Sequence, residues 1–383
     1  MEKLQACIAA RSEVRLLGLQ AKLPQRGKLT SKQLPVRMMG QEYTSSTASY
    51  NQDIARFKGP VKESDLDAVR TALAIPAPSE PLKEGWEIPI VDLSQLRSSQ
   101  FHLVRDQISR ACQEWGFFYA INHDIPCEVF DDMWEAYNLI FKLPVQERGS
   151  FDCGPFIPPD ILQKLNEKKE ALKKYADSRD TIRLRDLNPD DNEGTVASTP
   201  QFFRRPACTF YKALRDVGFE LLSAMSQSLG VEVDHIRRAT GNNEAINSSL
   251  HFYSPNHDGS KTMGLNPHKD ILTLTVLVQD ETGGLQVLKE DKWIDVKPLP
   301  GSLVVNVGEA IQAITNGKFK SVLHRVVNHP EKTRSSISCF LIPTPDSVIE
   351  PIPHLVSEES PRLYPNGTWA SFVHNHYALA LKF

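Results

Sequence analysis

Apolar positions follow two patterns along this chain, and the change comes near residue 245. Before it the spacing is mostly helical. Val104, Ile108, Ala111, Cys112 and Trp115 recur every three or four residues, which predicts a helix over 98–115 stopped by Gly116. A second helix is expected from Cys127 through Phe141. A long third helix should run from about Cys208 to Leu229, where Tyr211, Leu214, Val217, Leu221, Leu222, Met225 and Leu229 form a core stripe. Short strands are expected at Ile88–Leu93 and Phe117–Ile121. After Ala245 the texture becomes short strands: Leu250–Tyr253, Leu272–Val278, Leu285–Leu288, Ser302–Val307, Val322–Val327 and Ser336–Ile342. Gly283-Gly284, Asp291, Pro300-Gly301 and Asn316-Gly317 mark the turns between them. Helices first and then a run of strands predict an α+β chain whose second half is a sandwich or jelly roll.

These patterns divide the chain into a basic N-terminal segment (1–85), a helical cap region (86–244), a strand-rich core (245–345) and a C-terminal helix or lid (346–383). Within the first segment, Ser64-Asp-Leu-Asp supplies an N-cap and an acidic first turn for a helix through Ala68 to Leu73. Residues 151–200 are charged and punctuated by proline, with Leu162 to Tyr175 weakly helical. They read as an insertion near a substrate entrance.

Composition narrows the function classes. A net charge of −3 offers no general attraction to nucleic acid or an anionic membrane. No apolar run approaches the length that spans a bilayer, so no membrane partner is expected; the chain is read as a monomer acting on a small molecule. Cys7, Cys112, Cys127, Cys153, Cys208 and Cys339 are scattered without a CxxC pair, which suggests reduced thiols. The first forty residues carry eight Lys or Arg against Glu2 and Glu13. That composition fits a flexible basic tail on a cytoplasmic protein or a plastid transit peptide.

The chemistry lies between His268 and Ser336. In a strand, residues two apart share a face, so His268 and Asp270 would point together while Lys269 points away. His324 interrupts the apolar run Val322-Leu323-His324-Arg325-Val326-Val327. An isolated histidine in such a strand is more often a hydrogen-bonded core residue than a ligand. Joined to His-x-Asp, it completes two imidazoles and one carboxylate, a set that leaves three positions open as in non-heme Fe(II) oxygenases. Arg334 and Ser336 are also two apart. A guanidinium beside a hydroxyl is a good receptor for a small acid's carboxylate. His374 and His376 belong on an amphipathic C-terminal helix that could lie over the barrel mouth, and Trp293 and Phe319 read as packing residues.

The block His268-Lys-Asp270, Gly283-Gly-Leu-Gln-Val287, Asn316-Gly-Lys-Phe-Lys-Ser-Val-Leu-His324-Arg325 and Arg334-Ser-Ser336 resembles the plant-type soluble 2-oxoglutarate- and Fe(II)-dependent dioxygenases, which share the isopenicillin N synthase-like fold. Trp115-Gly-Phe-Phe-Tyr-Ala-Ile-Asn-His123-Asp-Ile-Pro126 is similar to that family's N-terminal signature. The likeness spans roughly Ile88 to Pro343. It implies a double-stranded β-helix (jelly-roll) core with an N-terminal helical cap and a long supporting helix. It implies Fe(II) at His268, Asp270 and His324, the distal carboxylate of 2-oxoglutarate at Arg334 and Ser336, and a further co-substrate contact at Tyr253. No catalytic residue beyond the metal ligands is implied. O2 is the oxidant, ascorbate the expected reductant, and succinate and CO2 the by-products. Two departures stand out: His251 replaces the usual asparagine of Asn-x-Tyr-x-Pro, and Asp124 replaces a usual glycine.

The expected activity is hydroxylation or desaturation of a small specialised metabolite or hormone. A flavonoid is preferred because the segment 316–325 resembles the flavonoid-acting branch. Two alternatives stay open at this stage: an Fe(II) oxidase of the same fold that does not use 2-oxoglutarate, and a non-catalytic small-molecule receptor.

Overall fold

The computed structural model describes residues 86–154, 163, 178–191, 194–243, 245–255 and 263–380. The basic N-terminal segment, the helix expected at Ser64–Leu73 and the weak helix at Leu162–Tyr175 lie outside the described residues.

Two sheets form the body. Their strands are β1 (Ile90–Asp92), β2 (Phe117–Ile121), β3 (Asp180–Leu187), β4 (Ile246–Tyr253), β5 (Met263–His268), β6 (Leu274–Gln279), β7 (Leu285–Lys289), β8 (Lys292–Asp295), β9 (Leu303–Val307), β10 (His324–Val327) and β11 (Arg334–Leu341). The larger sheet runs β1-β2-β9-β6-β11-β4-β3 and the smaller β5-β10-β7-β8. β1 lies parallel to β2, and the other neighbours are antiparallel. The main helices are α1 (Phe101–Glu114), α2 (Cys127–Lys142), α3 (Gln201–Ser228), α4 (Glu309–Ile314) and α5 (Trp369–Ala380). β1, β2 and β3 precede residue 245 yet share the larger sheet with strands that follow it.

Period-two alternation decides what each face of the larger sheet does. One parity is aliphatic: Leu274, Val276 and Val278 of β6, Leu303, Val305 and Val307 of β9, and Ile337, Cys339 and Leu341 of β11. These pack against the stripe Leu214, Val217, Leu221, Leu222 and Met225 of α3. Each such side chain contributes about 1.5–3 kcal/mol by burial. The other parity faces the smaller sheet. There Phe117, Tyr119, Leu277 and Val304 meet Leu285, Val287, Ile294 and Val326 in a second apolar cluster. The inward positions left over are polar, and they line the site.

The expected helices and strands are found, with instructive differences. α3 begins at Gln201 rather than near Cys208, because Phe203 and Ala207 extend its buried stripe. Residues 151–200 contribute a strand, β3, whose buried Ile182 and Leu184 alternate with Thr181, Arg183 and Arg185. That charged segment is thus partly the rim of the sheet. β5 carries little alternation of its own and is held by pairing with β10. α4 has six residues, too few for a periodic signal. Gly116 takes φ +63 where a Cβ would meet the Lys320 carbonyl, so the stop of α1 is also a close approach. Asp124 holds φ +58, the left-handed conformation that glycine adopts freely and aspartate tolerates. Cys112, Cys153, Cys208 and Cys339 are free thiols, whereas Cys127 is disulfide-bonded, a departure from the reading of reduced cysteines.

Candidate active site

His268 closes β5 and His324 opens β10, and the two face each other directly in the antiparallel register. Their ring centroids stand 4.2 Å apart. Each ring is oriented from behind: His268 Nδ1 lies 2.8 Å from the Asn266 carbonyl oxygen and His324 Nδ1 3.2 Å from that of Val322. With Nδ1–H donating to a carbonyl, the Nε2 lone pair is free to face inward.

Asp270 arrives by a route the strand rule did not foresee. β5 ends at His268, so Asp270 lies in the connection to β6 and not on the same strand face. That connection is anchored by α4, whose Glu309 and Ala310 N–H groups donate to the carbonyls of Asp270 and Ile271. The backbones come so close that a Cβ on Gly308 would stand 1.8 Å from the Leu272 carbonyl oxygen. Thr275 Oγ1 at 2.5 Å and Asn306 Nδ2 at 2.8 Å both donate to Asp270 Oδ2. Oδ1 is left 3.5 Å from His268 Nε2 and 3.7 Å from His324 Nε2.

One ligand atom from each of the three residues lies within 4.8 Å of the others, the single cluster of this kind among the described residues. Metal bonds of about 2.0–2.2 Å would set neighbouring ligand atoms roughly 3 Å apart, so the donor set fits one small divalent ion. Electrostatics agree. Burial, helped by His268, pushes His324 down to about 4, leaving a neutral imidazole. Burial opposes ionisation of Asp270, but His324, His268 and the Thr275 hydroxyl outweigh it and hold its carboxyl well below the usual range.

Arg334 and Ser336 do lie on one face, both within β11. Arg334 is 1% exposed. Nη1 donates to Ser336 Oγ at 3.0 Å and Nη2 to Gln279 Oε1 at 3.0 Å, and it sits 4.9 Å from the ring centre of Tyr253, its cross-strand partner. Two of a guanidinium's five N–H donors are thus used, both on neutral acceptors, and Nε is sealed without a partner. Arg334 forms no ion pair with a carboxylate among the described residues. Asp280 instead accepts the backbone N–H of Ser335 at 2.5 Å and that of Thr282 at 2.9 Å. A buried cation in such surroundings has donors to spare for a carboxylate.

His374 and His376 lie on α5, as expected, and His376 Nδ1 stands 2.8 Å from Glu309 Oε2. This contact ties the C-terminal helix to α4, the element that anchors the Asp270 connection. Burial would raise the Glu309 carboxyl, but His376 outweighs that and holds it below its ordinary value. Thr275, Asn306 and Gln279 escaped the sequence reading. The signal was present, since each is a polar residue at an inward position of an otherwise apolar strand.

Residues 243–343 match the 2OG-Fe(II) oxygenase superfamily. Residues 88–205 match the family described as non-haem dioxygenase in morphine synthesis N-terminal. Protein DMR6-LIKE OXYGENASE 1 of Arabidopsis thaliana is 35% identical over 282 residues, covering 73% of this chain and 80% of that protein. Flavanone 3-dioxygenase 2 of Oryza sativa subsp. japonica is 32% identical over 287 residues, covering 74% and 82%. Among solved structures, JOX2 in complex with 2OG, Fe and JA aligns with a TM-score of 0.63 at 28% identity, covering 82% of this chain and 93% of that one.

Proposed function

Because the chain belongs to the 2OG-Fe(II) oxygenase superfamily, we propose that His268, Asp270 and His324 hold its Fe(II) and that Arg334, Ser336 and Tyr253 receive its 2-oxoglutarate. The enzyme is a 2-oxoglutarate-dependent dioxygenase, an oxidoreductase with Fe(II) as cofactor. When bound, iron with 2-oxoglutarate and O2 supplies the oxidising power for substrate C–H cleavage, with succinate and CO2 released.

The chain's own residues set the conditions for that chemistry. Neutral His324 and ionised Asp270 present lone pairs to the ion without a proton to displace. Thr275 and Asn306 occupy one oxygen of Asp270, which fixes where the other points. Arg334 keeps its charge where a lysine could lose it, so an incoming acid meets a permanent cation. The apolar cluster between the sheets excludes water from the reacting centre.

The substrate we favour is a small plant-type metabolite, with a flavonoid first. Support comes from the segment Asn316–Arg325 and from the likeness to a flavanone 3-dioxygenase; the likeness to a rice dioxygenase for auxin oxidation keeps hormones next in order. A monomer in the cytosol, with ascorbate as reductant, completes the reading. Among the described residues no helix is long and apolar enough to cross a membrane. The observation that carries the assignment of residues is the sealed Arg334, without a carboxylate partner, beside a converging His-Asp-His set. The likeness to a flavanone 3-dioxygenase and to a structure holding 2OG and Fe favours this reading over a 2-oxoglutarate-independent oxidase or a receptor without metal.

Anaerobic titration with Fe(II) and then 2-oxoglutarate tests it. A weak visible charge-transfer band is expected in the wild type and should be lost in His324→Ala and Arg334→Ala, with stoichiometric succinate release in air. Iron binding without the band would overturn the assignment of the acid receptor.

A further inference from the structure

The last helix, α5, reaches back to the metal set. Trp369, Phe372, Val373 and His376 fall at helical spacing on one face of it. Trp369 and Phe372 are buried in the core with Val373 packed against it, and the Trp369 and Ala370 N–H groups donate to the carbonyls of Ser347 at 2.8 Å and Pro345 at 3.0 Å. His376 continues this packing face one turn on, where an apolar side chain is the simple expectation. Its Nδ1 instead stands 2.8 Å from Glu309 Oε2.

The partner of that imidazole lies in the first turn of α4. This helix has six residues, too few to hold their shape without support. Its later part is secured: Gln312 accepts the Ser321 N–H at 2.8 Å and donates to the Tyr364 hydroxyl at 2.9 Å, and Ile311, Ala313 and Ile314 are buried. The first turn has no capping side chain, because glycine stands at the N-cap. Yet this turn carries the metal ligand, since the Glu309 N–H donates to the Asp270 carbonyl at 2.8 Å. Glu309 thus faces two ways, its backbone toward Asp270 and its side chain toward α5. An ionised carboxylate only accepts, so the imidazole proton lies on Nδ1 whatever the charge of the ring. The Glu309 side chain is 19% exposed, and a carboxylate that far out of water without a partner would turn and pull on its backbone.

We propose that His376 is a positioning residue of the metal site: by holding Glu309 it fixes the first turn of α4, and through the Glu309 N–H the place of Asp270. It touches neither the ion nor the substrate. Coupling of this kind is reciprocal, so whatever docked α5 adds to metal affinity, a bound ion adds to the docking of α5. The inference rests on the reading that His268, Asp270 and His324 hold the metal.

The test is calorimetric binding of Mn(II) to full-length protein, with the visible spectrum of bound Co(II) as a second readout, in wild type, His376→Ala, His376→Asn and His324→Ala. His376→Ala should raise the Mn(II) Kd about tenfold and shift the Co(II) bands, because a displaced Asp270 changes the ligand geometry. His376→Asn puts an N–H the same number of bonds from the backbone and should bind Mn(II) within about threefold of wild type. A His376→Ala protein that only melts earlier, with Mn(II) affinity and Co(II) spectrum unchanged and His324→Ala impaired, would show a structural role alone and overturn this inference alone. Failure of His376→Asn to restore affinity would overturn the hydrogen bond as the cause, and the proposal with it. Undiminished binding by His324→Ala would overturn the reading of the metal set and this inference together. Should His376→Ala fail to fold, hydrogen exchange of the wild type decides: Mn(II) is expected to slow exchange in α5 more than in α1, and a slowing no greater than in α1 overturns the proposal.

Discussion

At the scale of single residues, the site depends on groups that touch no metal. Thr275 and Asn306 hold one oxygen of Asp270. Thr275→Val keeps the shape and removes the donor, so Fe(II) affinity should fall about 10–100-fold in a chelator competition titration while the fold is retained. His251 carries a pH signature. Its folded pKa lies below the ordinary 6.5, so below that pH the unfolded chain binds a proton that the folded chain refuses. Stability should therefore be complete above about pH 6.5 and fall on acidification, by up to about 1.4 kcal/mol per pH unit from this group. Urea unfolding at pH 7 and pH 5 should show a smaller acid loss in His251→Asn than in wild type. The candidate metal ligands and acid-binding residues were visible in the sequence because their residue types are rare and their spacing joint. The polar residues behind them were not, since Thr, Asn and Gln occur everywhere and acquire meaning only from the strand parity they occupy.

At the scale of elements, the same period-two rule succeeded for one pair and failed for the other. Arg334 and Ser336 share a face because β11 runs through both. His268 and Asp270 converge although β5 has ended, because α4 pins the connection through the Asp270 and Ile271 carbonyls. A six-residue helix leaves no periodic trace, so this support was invisible in the chain. Gly308 permits the approach. Gly308→Ala would force its Cβ against the Leu272 carbonyl oxygen, and the connection must shift. A loss of about 1–3 kcal/mol in denaturant unfolding is expected, with weaker Fe(II) binding from a displaced Asp270. β3 teaches the converse lesson. Its charges and prolines made the segment read as an insertion near a substrate entrance, yet Ile182 and Leu184 alternate with Thr181, Arg183 and Arg185 and carry the strand into the sheet.

At the scale of the whole molecule, the two halves of the site stand on different sheets. His268 and His324 belong to the smaller sheet, and Tyr253, Arg334 and Ser336 to the larger. An ion and an acid bound together would link the two, so ligand binding should report as stability. Fe(II) with 2-oxoglutarate at about a hundred times Kd should add about 2.7 kcal/mol and raise Tm by roughly 3–4 °C, and a chelator should reverse it. An unchanged Tm in anaerobic scanning would mean that neither ligand prefers the folded chain. The tie between His376 and Glu309 places the C-terminal helix beside the same site, so the last helix of the chain shares the frame that holds the metal set.

The linear chain by itself determined the class of fold, most of its longer elements and the candidate residues for metal and acid binding. Those follow from local rules: periodicity sorts residues by face, and rare chemical groups at set spacings leave few alternatives. Only the tertiary structure decided how Asp270 turns inward, which polar side chains stand behind it, and that residues before 245 complete the larger sheet. Each of these depends on contacts between segments far apart in sequence, where nothing in local spacing records the partner.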